Sequence, residues 1–475
     1  MPGPGNVGER VRNLRLARRM SQAQLAGHDL SDSYISLIES GKRTPTPAVL
    51  RLLAERLGCT SEYLAEGIEP EQRAHLEVRE RYARLALLTG AADAALTGFD
   101  EVISGSDDAE LTLRARWGRA RALEALGRFE AAIGVFEEMR EHAERDPGRS
   151  STLPALVALA RCYHAVGDLG QGIALGERVL ARLHDLGLSA GEEHTEAARV
   201  LLLAYVDRAD LDRAHQLGRR VLSVRTPSAA ELADAYHRAS GRALEEGDVG
   251  DALYLADQAL AARDETACLR AQARLHMAAA RALLRGVRPF GDAPHPAAEA
   301  MELLGGAAVK LDGAEAVDCA IETARALVLL GEPGRAIETV EREPALTEAV
   351  ARHSNGRSED SGPGAPTEPD ARSLQMVQAR LIIARARLAM GARDTAVTVL
   401  QGASATLERL GREGPARPVA HLLRELGDLF ESAGDATGAT TAYRRALEAA
   451  GLRPSFRHTA LDPQMTPDAT LPTVP

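Results

Sequence analysis

From residue 8 onward the apolar positions recur at helical spacing, first in short segments and then in long ones. Gly8–Arg19 carries Val11, Leu14 and the Ala17/Arg18 step on one face, which predicts a first amphipathic helix. Ser21 can cap a second helix over Gln22–Ala26, and Gly27-His28-Asp29 makes the turn, with Gly27 free to take a positive φ. Ser31 can cap Asp32–Ser40, which Gly41 stops. Thr46 with Pro47 at the first position opens a fourth helix to Leu57, and Thr60 caps a short fifth reaching Ala65. Val11, Leu14, Leu25, Ile35, Ile38, Val49, Leu52, Leu53, Leu57 and Leu64 suffice for one small core.

Gly67–Pro70 reads as a linker, and from Glu71 the chain turns to long Ala/Leu/Arg/Glu helices that repeat. Each unit is a helix, a turn residue and a second helix. The turn residues are Gly90, Gly127, Gly167, Ala209, Gly247, Gly286, Gly331, Gly391 and Gly434, mostly 37–45 residues apart. Five positions later stands a small residue: Ala95, Ala132, Gly172, Ala214, Ala252, Ala336, Ala396 or Ala439. Seven positions earlier stands another: Ala83, Ala120, Ala160, Ser240, Ala279, Ala324, Ala384 or Gly427. Small residues at both points allow close antiparallel helices, so about nine helix pairs are expected from 71 to 452. The sixth pair is irregular, since residues 288–296 are rich in Pro and no small partner falls in register. Residues 353–372 read as a disordered insertion and 453–475 as a disordered tail.

Composition narrows the picture. A chain of 475 residues is too long for one core. With 3% aromatics, stacking platforms for single-stranded nucleic acid are not expected. Net charge is −11, but residues 1–66 hold nine Lys/Arg against seven Asp/Glu, a basic head on an acidic body. Only Lys42 and Lys310 are lysines, so an exposed Arg is this chain's default base. The four cysteines are scattered without a CxxC pair, which supports neither zinc nor a disulfide framework and fits a reducing cytoplasm. No apolar run approaches the 18 residues of a membrane span, and the first ten residues have no signal-peptide character. Gly3, Gly5 and Gly8 form a GxGxxG with no room for the strand a dinucleotide fold needs. No metal-ligand cluster, GxSxG or phosphate-binding loop is present, so no cofactor, no metal and no enzymatic activity are expected. Glu192-Glu193-His194 and His184-Asp185 read as loop or solvated helix charges.

Residues 8–65 resemble the Cro/repressor-type (XRE) helix-turn-helix family. The resemblance rests on Arg15, Ser21-Gln22, Leu25-Ala26, Ser31, Tyr34-Ile35-Ser36-Leu37-Ile38-Glu39, Gly41-Lys42-Arg43 and Pro45. One departure is the seven residues between Ala26 and Tyr34, where the family has eight with a later Gly. The resemblance implies duplex DNA as partner. Gln22 and the start of the second helix would meet a phosphate, and Lys42 and Arg43 would neutralise others. Ser31 caps the recognition helix, and Asp32, Ser33, Tyr34, Ser36 and Leu37 would face base edges. That face holds no Arg, Asn or Gln for a bidentate base contact, so modest direct readout with a larger share from phosphates and DNA shape is expected. Tyr34 is equally able to pack on the domain surface, and the resemblance implies an internal ion pair between Arg15 and Glu39.

The helix pairs resemble tetratricopeptide repeats, whose first helices line a groove for extended peptides. The inward position six before the turn holds Arg84, Arg121, Arg161, Arg325 and Arg385 in five of the nine pairs. Such a row can clamp a peptide's carboxylates or carbonyls, or it can pair with acids of neighbouring helices. The sequence thus predicts an all-α chain. Residues 1–66 form a five-helix DNA-binding head, 67–70 a linker and 71–452 an α-solenoid. The combination is similar to peptide-sensing bacterial regulators of the Rgg and PlcR kind. It implies a cytoplasmic, DNA-binding transcriptional regulator, a homodimer whose body binds a peptide or protein ligand. The alternative is an interaction scaffold that its head merely tethers to DNA.

Overall fold

A chain this rich in Ala, Leu, Arg and Glu has little reason to be anything but helical. In the computed structural model the described residues are 7–66, 70–106, 108–223, 225, 227–262, 265–343, 346, 371–410 and 417–451. They form 23 helices and no strand. The chain divides into two compact units, residues 1–296 and 297–475.

The first unit opens with five short helices: α1 (Val7–Ala17), α2 (Gln22–Ala26), α3 (Asp32–Glu39), α4 (Pro47–Leu57) and α5 (Ser61–Glu66). The hydroxyls of Ser21, Ser31, Thr46 and Thr60 each accept the N–H three residues on, as the cap residues require. Val11, Leu25, Ala26, Ile35, Ile38, Leu53, Ala54, Leu57 and Leu64 make the buried core. Leu14 and Val49 pack at its edge, whereas Leu52 is only half-buried and stands outside it.

Helix pairs follow. They are α6 (Pro70–Leu88) with α7 (Ala92–Gly105), α8 (Ala109–Ala125) with α9 (Phe129–Arg145), and α10 (Leu153–Val166) with α11 (Leu169–Asp185). Next come α12 (Glu192–Asp207) with α13 (Leu211–Leu222), α14 (Ala229–Glu245) with α15 (Val249–Ala261), and α16 (Glu265–Leu284), after which α17 (Pro296–Ala308) opens the second unit. That unit continues with α18 (Gly313–Leu329) and α19 (Pro333–Glu341), α20 (Ala371–Ala389) and α21 (Arg393–Leu410), and α22 (Arg417–Ala433) and α23 (Ala436–Ala449). The expected linker is shorter than the sequence suggested, since α6 starts at Pro70. Likewise residues 371–372, assigned to the insertion, are the first turn of α20. The rest of the insertion, the segment 67–69 and the tail 453–475 lie outside the described residues.

All nine turn residues have positive φ, from 62° at Ala209 to 99° at Gly286. The small residues flanking them are where the paired helices touch. A Cβ on Gly172 would lie 3.3 Å from the Ala160 carbonyl, and the Ser240 hydroxyl donates to the Ala252 carbonyl at 2.7 Å. In the second unit a Cβ on Gly427 would meet the Tyr443 ring at 2.5 Å.

In the first unit the stacking order departs from a regular array after α12. Helices α7 to α12 pack each on the next, but α16, not α14, then lies along α12. The α14–α15 pair folds back onto α10, α11 and the start of α12. Its turn end is fixed where Gly250 N–H donates to the Pro147 carbonyl at 2.8 Å. Buried Asp251 accepts from Ser151 Oγ (2.6 Å) and Arg182 Nε (2.9 Å). Its middle is fixed by Glu193, 5% exposed, which accepts from Tyr236 (2.6 Å) and Tyr254 (2.5 Å). Glu193 is therefore not a solvated charge but a buried anchor. Burial, reinforced by the Glu193 charge, pushes both tyrosine hydroxyls well above their ordinary pKa. The vacated place is filled by the segment after α16. Phe290 occupies the space a Cβ on Gly218 would take and stacks on His215 at 6.0 Å between ring centroids.

The turn geometry makes a paired prediction. Ala209 holds a left-handed conformation that costs an L-residue about 1–2 kcal/mol, partly offset by the smaller unfolded-state entropy of Ala relative to Gly. Ala209→Gly should therefore raise stability by about 0.5–1 kcal/mol in denaturant titrations. Gly247→Ala, where a Cβ would meet nothing within 4 Å, should lower it by about 1 kcal/mol through the backbone alone.

Candidate functional site

The geometry of the head is set by one buried ion pair. Arg15 on α1 gives Nε and Nη2 to the two carboxylate oxygens of Glu39 on α3, at 2.6 and 2.9 Å, and Nη1 to the Met20 carbonyl at 2.9 Å. This two-point contact ties the first helix to the end of the third, as the sequence implied. Gly8 permits the close approach, because a Cβ there would lie 2.1 Å from the Ile38 carbonyl oxygen. Burial alone would raise the Glu39 pKa, but hydrogen bonds from Arg15 and Gln22, with the charges of Arg15 and Arg12, hold it below the usual carboxylate value.

The turn between α2 and α3 carries a contact the sequence did not reveal. Gly27 has φ +56°, and the Arg56 guanidinium of α4 lies 2.9 Å from where its Cβ would be. Arg56 donates to the carbonyls of Leu25 and Ala26 and pairs with Asp29. It thereby satisfies the Leu25 carbonyl, adds a second donor to the Ala26 carbonyl that the Leu30 N–H already reaches, and holds a turn that is one residue short. No spacing rule connects positions 29 and 56, so only the folded chain shows the pair.

The candidate DNA-reading residues lie as follows. Asp32, Ser33, Ser36 and Leu37 are exposed on α3, and Lys42 and Arg43 are exposed just beyond it. The N–H groups of Lys42 and Arg43 both donate to the Leu37 carbonyl, which fixes the two bases against the end of the helix. Tyr34 is half-buried, with the Arg43 guanidinium 5.9 Å from its ring centre, so the packing alternative and an exposed edge both hold. Ser31 spends its hydroxyl on the Tyr34 N–H. Gln22 differs from the expectation of a free phosphate donor: its Nε2 donates to Glu39 at 2.8 Å. The start of α2 is partly closed as well, since Ser21 and Gln24 cap each other reciprocally and leave the N–H groups of Gln22 and Ala23 at the open first turn.

In the body, the Arg row is not a set of free guanidiniums. Arg161 grips Glu124 at 2.6 and 3.0 Å and lies 3.7 Å from Glu196, while Arg121 donates to the same Glu124 at 2.7 Å. Arg199 closes the chain of charges with two bonds to Glu196, at 2.9 and 2.7 Å. Arg325 pairs with Glu425 at 2.7 Å and Glu322 at 3.4 Å, and exposed Arg84 sits 3.8 Å from Glu80. Arg385 is half-buried. Burial would raise the Glu196 carboxyl, but Arg199, Arg161 and Arg274 bring it down to about 2. The acid-rich body has supplied its own anions, so a ligand carboxylate here would have to displace one.

Residues 11–64 match the helix-turn-helix family. No curated protein matches the sequence. Among solved structures, the chain is similar to PlcR of Bacillus thuringiensis in complex with a peptide and DNA, at 19% identity over 54% of this chain and 95% of that one, with a TM-score of 0.26. It is similar to the apo quorum sensor NprR of B. thuringiensis at 10% identity, covering 94% and 99% of the two chains, TM-score 0.45. A Rap protein complexed with Competence and Sporulation Factor aligns at 13% identity over 80% and 99%, TM-score 0.38.

Because the Glu39 pKa is lowered on folding, its pairing contributes stability that is present above the unfolded carboxylate value, near 4.5, and is lost as pH falls through the folded value. Glu39→Gln should lower head stability at pH 7 and flatten this acid limb. Thermal melts of both proteins between pH 7 and 3, read by hydrogen exchange of residues 7–66, check this.

Proposed function

We propose that this protein is a transcriptional regulator that binds duplex DNA sequence-specifically through its N-terminal head. It acts in the cytoplasm as a homodimer, and its helix-pair body supplies the dimer contacts and binds a peptide or protein ligand. One observation carries the reading: the helix-turn-helix match over residues 11–64 coincides with an exposed polar face on α3 followed by two exposed bases. No catalytic role is assigned.

The division of labour follows from side-chain chemistry. Lys42 and Arg43 supply charge to phosphates and set affinity without sequence preference. Ser33 and Ser36 donate to or accept from base edges, Asp32 accepts from a cytosine amine, and Leu37 fits a thymine methyl. Gln22 works one step back, orienting Glu39 and through it Arg15. In the body, the Arg121–Glu124–Arg161–Glu196–Arg199 ladder runs across α8, α10 and α12 and offers a peptide both signs of charge. A second reading, a constitutive scaffold, is favoured by Leu244, Val249, Leu253 and Leu260, which stay exposed on the folded-back α14–α15 pair. A protein partner held there would need no ligand control.

Fluorescence anisotropy of the full chain on a selected duplex tests the reading. Lys42→Ala should weaken binding by a similar factor on every sequence and reduce the log–log salt slope by about 1. Ser33→Ala with Ser36→Ala should instead change which sequence is preferred. Failure of the full chain to bind any duplex at low salt would overturn the reading.

A second outcome concerns the ladder. Arg161→Leu removes the central cation, leaving half-buried Glu124 to Arg121 and Glu196 to Arg199, and should cost about 1.5–3 kcal/mol in chemical denaturation.

A further inference from the structure

Helix α6 is the first element after the head and is apolar on two sides. One side packs on α7 and α8 through Leu76, Ala83, Ala86 and Leu87. The other side carries Val78, Tyr82, Leu85 and Leu88, which are 46, 65, 55 and 84% exposed. At 100° per residue these four fall on one stripe with Ala74 and Arg81. A stripe of this kind on a solvent-exposed helix is an unfinished contact.

We propose that a second copy of this chain covers the stripe, its α6 running antiparallel and centred between Arg81 and Tyr82. The proposal deepens the DNA-binding reading and rests on it for the spacing argument alone. Three features select a second copy over any other occupant. In that register Val78 meets Leu85 of the second copy, twice by symmetry, so the stripe is complementary to itself as a two-fold contact requires. Arg81 meets Tyr82 of the second copy and places a guanidinium on the ring, a cation–π contact in place of a charge facing a charge. Arg81 lies 3.5 Å from half-buried Glu77, which Arg73 also pairs with at 3.3 Å. The flanking Arg79 and Arg84, which approach each other in this register, are already neutralised by Glu101 and Glu80.

The third feature is length. The head joins α6 at Pro70, and the two-fold centre lies between residues 81 and 82. At about 1.5 Å per residue the two attachment points stand about 34 Å apart along the paired helices. Two helix-turn-helix heads on successive major grooves need about 34–36 Å. A parallel pair would bring both attachment points to the same end, and moving the two-fold centre by one turn, about 3.6 residues, would change the separation by about 11 Å.

Light scattering of the full chain at micromolar concentration should give twice the chain mass, and Leu85→Asp or Tyr82→Asp should give the chain mass with an unchanged circular dichroism spectrum. A variant that dimerises like the parent, or a monomeric parent, overturns the proposal. Cross-linking checks the register without a disruptive change. Val78→Cys protein bearing a mass tag, mixed with untagged Leu85→Cys protein and oxidised, should form the mixed disulfide above the wild-type background. Either variant alone should not, because like positions stand about 10 Å apart along the axis. Homodimeric cross-links without the mixed species overturn the antiparallel pairing. Duplex binding is scored on the same samples. If dimers depend on Leu85 but no duplex is bound, the pairing stands and the regulator reading fails. If duplex is bound while Leu85→Asp leaves the dimer intact, the reverse holds.

Discussion

Two long helices can run back along each other only if the chain reverses in one or two residues and the helices have nothing bulky between them. The first condition needs a left-handed residue, the second needs small side chains at a fixed distance from it. This chain meets the first condition at nine turns and both conditions at seven, since Ala209 lacks the small residue before it and Gly286 a helix carrying one directly after it. Its turns at Gly90, Gly127, Gly167, Ala209, Gly247, Gly286, Gly331, Gly391 and Gly434 all have positive φ. Ala95, Ala132, Ala214, Ala336 and Ala396 are buried completely on one side of the turn, and Ala120, Ala160, Ala279, Ala324 and Ala384 on the other. The low aromatic content follows, because helices this close leave room for few large rings. Where one does occur, as Phe99 against Gly118 or Phe136 beside Trp117, it fills a gap between neighbouring pairs.

This constraint is why so much of the fold was legible in the sequence. A turn residue and its two small partners span thirteen residues, so a local pattern fixes a local structure. The head was legible for the same reason: Ser21, Ser31 and Thr46 cap helices whose first turns begin at the next residue. Illegible were contacts between residues far apart in the chain. Glu193 looks like any helix acid until Tyr236 and Tyr254 arrive from 43 and 61 residues away to bury it. Asp251 finds Ser151 across 100 residues and Arg182 across 69. Those contacts pull α14–α15 out of the stack, and no periodicity signals them. The site shows the same split. Arg15 with Glu39 was readable as a pair, whereas Arg56 under the short turn was not. The Arg row was readable as a row, but not its partners, since Glu124, Glu196 and Glu425 carry no mark that sets them apart from other acids.

The head and the first repeat helix make sense together. The α3 face offers serines, an aspartate and a leucine, none of which makes a two-point contact with a base. The short turn and the mutual cap of Ser21 and Gln24 further reduce what one head can do at a phosphate. In the proposed reading, specificity comes from two heads held at a set distance, where each contributes to the local concentration of the other. The exposed stripe on α6 follows the head in the chain and, paired as proposed, has the length to set that distance. Under the same proposal, control lies in whatever changes the distance, and the half-buried charged ladder on α8, α10 and α12 is where a ligand would act.

The central claim, that two copies of this head read DNA at a separation fixed by the protein, is tested most directly by selecting binding sites for the full chain from a pool of random duplexes. The account predicts that the enriched sequences are inverted repeats whose half-site centres lie about one helical turn apart, roughly 10 base pairs, with weak base preferences within each half. Enrichment of an isolated half-site, of direct repeats, or of no sequence at all would contradict it.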